Sequence, residues 1–265
     1  MTRPLRSLSL LLALIAGARL PAAAAAPGAA GEPDYAEWNR LLAGYYDPAH
    51  GMDYRGLRAK ESAALQRLRQ ALATVDVGQL ARQQQLAYWL NLYNVNTVGV
   101  VVDHYPVASI RDLSTDPLVR LNVFSKDNVD TRRGKVSLND IENDEVREGF
   151  HDPRVHFALN CAARSCPPLR TEAYVGARVD EQLDDQVRRF FAGPGARVEG
   201  RGKGAVIHVT KILDWFEKDF KRWGGGVVPF LRRYLPAEKL RLLPPGDDVD
   251  LDYDDYDWQL NDWHR

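Results

Sequence analysis

The sequence predicts an α+β fold: a predominantly helical single domain with a small, mainly antiparallel sheet. Two observations carry this. Segments whose apolar residues recur three or four apart outnumber those that alternate, and the few strand candidates are joined by hairpin-type connections without a regular strand–helix–strand alternation. A balance of 45% hydrophobic and 27% charged residues suits one ordinary core.

The elements follow in order. From Tyr35 to Ala43 and from Glu61 to Ala73 the apolar spacing predicts short amphipathic helices, with turns at Asp47-Pro48 and Gly51 between them. Arg82 to His104 gives the strongest helix signal: Leu86, Leu90, Tyr93, Thr97 and Val101 step along one side, and Pro106 ends it. Arg133-Gly134 predicts a hairpin, after which Ser137 with Asp140 opens a helix through Glu148. Val155 to Leu159, short and mostly apolar, reads as a buried strand. Val179, Leu183, Val187, Phe190 and Phe191 define another amphipathic helix, closed by Gly193. The glycines at 200, 202 and 204 make a hairpin tip before a strand from Ala205 to Val209. Thr210 then caps a helix carrying Ile212, Phe216, Phe220 and Trp223, broken by Gly224 to Gly226, and Val227 to Leu235 forms one more helix. In the tail Val249, Leu251 and Tyr253 alternate with aspartates as in a strand, and the slip in phase at Asp254-Asp255 predicts a bulge.

The N-terminus predicts export. Arg3 and Arg6, the apolar run Leu8 to Ile15 and the small-residue tract Ala22 to Ala26 are the order of a secretory signal peptide, so residues 1–26 are expected to be removed. Residues 27–33 read as a flexible lead-in and 34–265 as the globular domain, placed in the periplasm or secreted. The longest later aliphatic run, Val98 to Val102, is far too short to span a bilayer, so no membrane span is expected after cleavage. The leader holds three arginines and no acid, which leaves 32 of the 35 basic residues against 36 acidic ones. That acidic surface argues against nucleic-acid binding, which needs a basic footprint. The aspartates crowded from Asp247 to Asp257 lack the spacing, glycine and terminal glutamate of an EF-hand and read as a solvated strand face.

There is no phosphate-binding loop ending in Lys-Ser or Lys-Thr, no His-Glu-x-x-His and no Gly-x-Ser-x-Gly, and no cofactor or metal is expected. Chemistry concentrates instead in DPRVHFALNCAARSCPPL, Asp152 to Leu169, which holds both cysteines and one of the six histidines. Four readings stand together, the plainest being two unpaired structural thiols. Or Cys161 and Cys166 close a disulfide, as cysteines of an oxidising compartment do. Or His156 holds Cys161 as a thiolate, the form that attacks acyl carbons, with Glu142 orienting the imidazole. Or both sulfurs and His156 bind zinc. Asn91 and Asn94, a helical turn apart beside Tyr93, either tie neighbouring backbone into the core or line a substrate pocket.

These residues carry a resemblance. LAYWLNLYNVNTV (Leu86 to Val98), HYPVASIRDL (His104 to Leu113), VSLNDIENDEVR (Val136 to Arg147) and the cysteine segment, in that order, resemble the family known as domain of unknown function 547; the closing YDWQLN, Tyr256 to Asn261, is similar to the ending of its bacterial members. The resemblance is dense from Leu86 to Phe191 and implies a commonly exported bacterial family without a settled reaction. It also implies motif positions at Asn91, Tyr93, Asn94, Glu142, His156, Cys161 and Cys166. Asn143 departs from it, standing where the family's Ile-Glu-His would supply a second imidazole. Plant relatives keep the first cysteine and replace the second by serine, which implies that a bridge is not the whole purpose of Cys161.

The leading expectation is a thiol-dependent hydrolase or acyl-transfer enzyme, with Cys161 as nucleophile, His156 as base and Glu142 as orienter, while Asn91, Asn94 and Tyr93 hold the substrate. Its rival is a non-catalytic periplasmic binding module with a structural Cys161–Cys166 bridge. The ligand expected in either case is a small molecule, a peptide or a cell-envelope component.

Overall fold

The computed structural model describes residues 31–113, 123–246 and 248–263. The expected signal peptide, most of the lead-in and Asp247 lie outside the described residues. What is described is an α+β domain in which helices dominate and the sheets are small.

The helix Arg82–His104 runs through the middle of the fold, and every residue from Leu86 to Val102 is buried. The sequence marks one apolar side; the structure covers all sides, which is why the helix has almost no polar face. Tyr54–Ala73 packs along it, starting seven residues before the expected Glu61 because Asp53 caps it, accepting from Gly56 N at 2.7 Å. Ala36–Tyr45 adds Trp38, Leu41 and Leu42 to the same core. A second apolar cluster gathers Phe190 and Phe191 of the helix Val179–Ala192, Phe220 of Glu217–Gly224 and Phe230 of Val227–Tyr234 around Phe157.

A three-stranded sheet closes the second cluster. Ala196–Glu199 pairs antiparallel with Val206–Val209, Ala196 facing Val209; Val206–Val209 then pairs parallel with Asp250–Tyr253, Val206 facing Asp250. The two remaining sheets are antiparallel pairs, Tyr46–Asp47 with Gly51–Met52 and Val129–Thr131 with Gly134–Val136, the latter at the expected hairpin.

Three local expectations are corrected. Val155 to Leu159 is no strand: the chain forms a 3-10 helix, Pro153–Phe157, because Asp152 accepts from Arg154 N at 3.0 Å and Pro153 presets the first turn. A short apolar run does not distinguish the two states by period. The helix after Thr210 is two pieces, Ile212–Trp215 and Glu217–Gly224, hinged at Phe216. The last strand ends at Tyr253 without a bulge; Asp254 N still donates to Val209 O at 2.9 Å before the chain leaves the sheet.

That departing tail assembles the site. Gln259 O accepts from Arg164 N (2.9 Å), Asn261 N donates to Ala162 O (3.0 Å), and Met52 N donates to Asn261 O (3.0 Å). The tail thus lies against both the cysteine loop and the first hairpin. The approach at Gly51 is so close that a Cβ there would sit 2.1 Å from Asn261 O, and its φ of +116° also demands glycine. No described helix is long and apolar enough to cross a membrane.

Candidate active site

A cavity of about 310 Å³ opens at the seam between the two apolar clusters. Tyr93, Glu142, His156, Cys161 and Cys166, scattered over the sequence, all line it.

Glu142 arrives on an unusual helix. Ser137 and Asp140 form a reciprocal capping box, Ser137 Oγ accepting from Asp140 N at 3.1 Å and Asp140 Oδ2 from Ser137 N at 2.8 Å. From Ile141 to Arg147 the backbone then widens into a π-helix, a form concentrated at functional sites. Desolvation pushes the Glu142 carboxyl up to about 7, with Arg147 opposing the rise and Asp219 adding to it.

His156 is presented by the 3-10 helix, its side chain 1% exposed and its ring stacked on Phe216 with centroids 3.9 Å apart. Its partner is Asp219, which no sequence signal marked: Nε2 donates to Asp219 Oδ2 at 2.8 Å. Arg147 grips the same carboxylate from Nε at 2.8 Å and from a terminal nitrogen at 3.3 Å, its guanidinium 4.7 Å above the Phe216 ring. The hydrogen bonds from His156 and Arg147 outweigh desolvation and hold Asp219 well below the usual carboxylate range, while burial moves His156 below its ordinary value. An ionised carboxylate accepts only, so the neutral ring keeps its proton on Nε2 and its lone pair on Nδ1. Asn143, in place of the histidine expected by resemblance, accepts from Arg147 and donates to Asn139 O at 2.8 Å.

The two sulfurs are joined in a disulfide, their Cα atoms 6.3 Å apart. In this form Cys161 is no thiolate, His156 bonds Asp219 and not Cys161, and the sulfurs bind each other and not zinc. Glu142 does not orient the imidazole; Asp219 does. Among the described residues no group of three or more His, Cys, Asp or Glu side chains could hold a metal ion.

Asn91 and Asn94 are not in the cavity wall. Asn91 embraces the Tyr174 backbone, donating to its carbonyl at 2.7 Å and accepting from its N–H at 3.0 Å. Asn94 does the same for the approach to the cysteine loop, donating to Ala158 O and accepting from Asn160 N, both at 2.9 Å. Buried amides in an apolar helix need such partners, and here the partners are backbone.

Sequence reasoning missed the aromatic wall. Trp215, Tyr256 and Trp258 cluster at the cavity, Tyr256 4.8 Å from Trp215 and 4.7 Å from Trp258 between ring centroids. Arg111 lies 4.9 Å above Trp258, and Trp215 is 46% exposed. The one available signal was the closing YDWQLN motif, which contains Tyr256 and Trp258.

Residues 77–191 match the family described as "Protein of unknown function, DUF547". That segment, under half of the chain, is what is similar to the family. The DUF547 segment supplies Tyr93, Glu142, Arg147, His156 and both cysteines, whereas Asp219 and the aromatic wall come from the chain beyond it. No curated protein and no solved structure matches the chain.

Proposed function

We propose that this cavity is the active site of an exported hydrolase or acyl-transfer enzyme in which His156, oriented by Asp219, is the general base and Glu142 the general acid. The observation that carries the reading is the Asp219–His156 pair: a neutral imidazole with its Nε2 proton fixed by a carboxylate has Nδ1 free to accept a proton. The same cavity holds a carboxyl with a pKa of about 7, protonated often enough near neutrality to donate to a leaving group. With the bridge closed, water is the attacking nucleophile. Its proton passes to Nδ1 as its oxygen adds to the acyl carbon, and the leaving group takes the Glu142 proton. Cys161 becomes a candidate nucleophile only in a bridge-opened form. An intramolecular disulfide suits an oxidising compartment, which supports export.

The test is hydrolysis of p-nitrophenyl butyrate by bridge-intact protein. His156→Gln is expected to lower kcat/KM by ~10²–10⁴-fold with the fold retained. An unchanged rate in that variant ends the proposal.

The aromatic wall favours a second reading, a non-catalytic binding module with the bridge as a structural element. Ligand-dependent quenching of tryptophan fluorescence without turnover of that ligand is its signature.

A further inference from the structure

The Cys161–Cys166 bridge ties a loop that is already tied. Asn160 Oδ1 accepts from Ala162 N at 2.9 Å and Asn160 Nδ2 donates to Pro167 O at 2.8 Å. The C-terminal tail holds Arg164 N at 2.9 Å and Ser165 N at 3.2 Å through the carbonyls of Gln259 and Asp257. A crosslink between residues only five apart also removes less chain entropy from the unfolded state than one that closes a long loop. The loop therefore keeps its shape without the bond between its sulfurs.

Those sulfurs are reachable and unequal. Both line the 310 Å³ cavity, and Cys166 also borders a neighbouring one of about 370 Å³. Cys161 is partly exposed, while Cys166 is 8% exposed. Two donors already point at Cys166 Sγ: the Cys161 backbone N–H at 3.0 Å and the Tyr256 hydroxyl at 3.0 Å, the latter also 3.2 Å from Cys161 Sγ. A disulfide sulfur carries no proton, so the phenol is the donor, and burial keeps Tyr256 protonated by moving its pKa far up. Charged groups near the sulfurs are Glu142 on one side and Arg164, Arg189, Lys211, Asp254 and Asp255 on the other. Each of the three basic groups is already paired with an acid, Arg164 with Asp257, Arg189 with Asp185 and Lys211 with Asp214, so what favours a thiolate at Cys166 is the two donors aimed at it.

We propose that Cys161–Cys166 is a thiol–disulfide exchange site, attacked at Cys161 by a small thiol entering the cavity. The incoming thiolate, its proton lost to solvent, forms a bond to Cys161 Sγ. The bond between Cys161 and Cys166 breaks, and its electron pair leaves on Cys166, received by the Cys161 N–H and the Tyr256 O–H. A second thiolate then displaces Cys161, so that two thiols become one external disulfide and the protein gains two thiols. This exchange stands on the cysteine loop and not on the hydrolytic reading.

The experiment equilibrates native protein with mixtures of reduced and oxidised glutathione, quenches in acid and counts thiols by alkylation and intact mass, with circular dichroism as the check on folding. The expected result is reversible opening in the folded protein, a glutathione adduct on Cys161, and a roughly tenfold shift toward the disulfide in Tyr256→Phe, which loses one charge-assisted donor. Should Tyr256→Phe not fold, the lone Cys166 of Cys161→Ser, followed by ultraviolet thiolate absorbance, is expected to titrate below the ordinary value of about 8.5. Resistance to glutathione in the native state, opening only with loss of the fold, or a lone Cys166 titrating at or above about 8.5 would each overturn the proposal.

Discussion

Asp219 Oδ2 accepts the Nε2 proton of His156 at 2.8 Å, joining residues 63 apart in sequence and belonging to different helices. The contact fixes the imidazole tautomer, and it is made at the same oxygen that Arg147 Nε approaches at 2.8 Å.

Replacing Asp219 by Asn separates the tautomer from the packing. The amide of Asp219→Asn can offer its N–H to the ring, which would move the proton to Nδ1 and remove the base. We expect hydrolysis of p-nitrophenyl butyrate to fall by ~10²–10⁴-fold, and unfolding in urea to show a loss of about 1–3 kcal/mol because Arg147 loses its counter-charge. Wild-type activity in the folded variant would remove Asp219 from the proposed mechanism.

In the proposed mechanism Glu142 sets an alkaline limit. The base is competent above the lowered pKa of His156, and the acid below about 7, so kcat/KM is expected to trace a bell whose alkaline limb lies at about 7 and whose acid limb lies below the ordinary histidine value. Stability carries the opposite mark of the same group. The folded pKa of about 7 exceeds the unfolded value of 4.5, so the native state binds the extra proton, and stability present below 4.5 is lost as pH rises to 7. Glu142→Gln does not ionise. It is therefore expected to gain about 1–3 kcal/mol over wild type at about pH 8, a gain that fades toward about pH 5. Thermal melts across that range check it, and a constant difference at every pH would contradict it.

The legible part of this site was its local part. Glu142, His156, Cys161 and Cys166 lie within 25 residues of one another in a segment of dense polar signals, and all reach one cavity. Arg82–His104 was readable end to end because length, period and a terminating proline agree. Asp219 was not, since a single acidic residue on a charged amphipathic helix looks like any solvated one until tertiary packing brings it to His156. Trp215, Tyr256 and Trp258 were hidden for the same reason: the tail is positioned by backbone bonds to the cysteine loop and the first hairpin, which leave no periodic trace. The asparagines could be read from sequence in two ways, as ties to neighbouring backbone or as pocket lining, and the structure gives their polar groups to backbone, the first of the two.

Asn94 governs the cysteine loop at one remove. In Asn94→Ala the Asn160 N–H and the Ala158 carbonyl both lose their partner in a buried setting. A loss of about 2–4 kcal/mol in urea unfolding is expected, with Asn91→Ala similar because it frees both polar groups of the Tyr174 backbone. Losses under about 0.5 kcal/mol, the scale of an ordinary surface change, would mean that these amides do not hold the loops.

Phe216 is the cover on the imidazole. Its ring stacks 3.9 Å from His156 on one side and lies 4.7 Å from the Arg147 guanidinium, so it shields the histidine from water at the hinge between two helix pieces. Desolvation is the largest cause of the lowered His156 pKa, and Phe216→Ala removes part of it. The ring is then expected to titrate closer to 6.5, which a nuclear magnetic resonance titration of the His156 ring protons reads directly. The acid limb of the activity profile should move up with it, since the base must lose its proton before it can act. The folded protein should be about 2–4 kcal/mol less stable, as for a large aromatic removed from a packed position. If the histidine titration stays where it was while stability falls, Phe216 only fills space, and the burial that sets the base belongs to the Phe220 side of the ring, 5.9 Å away.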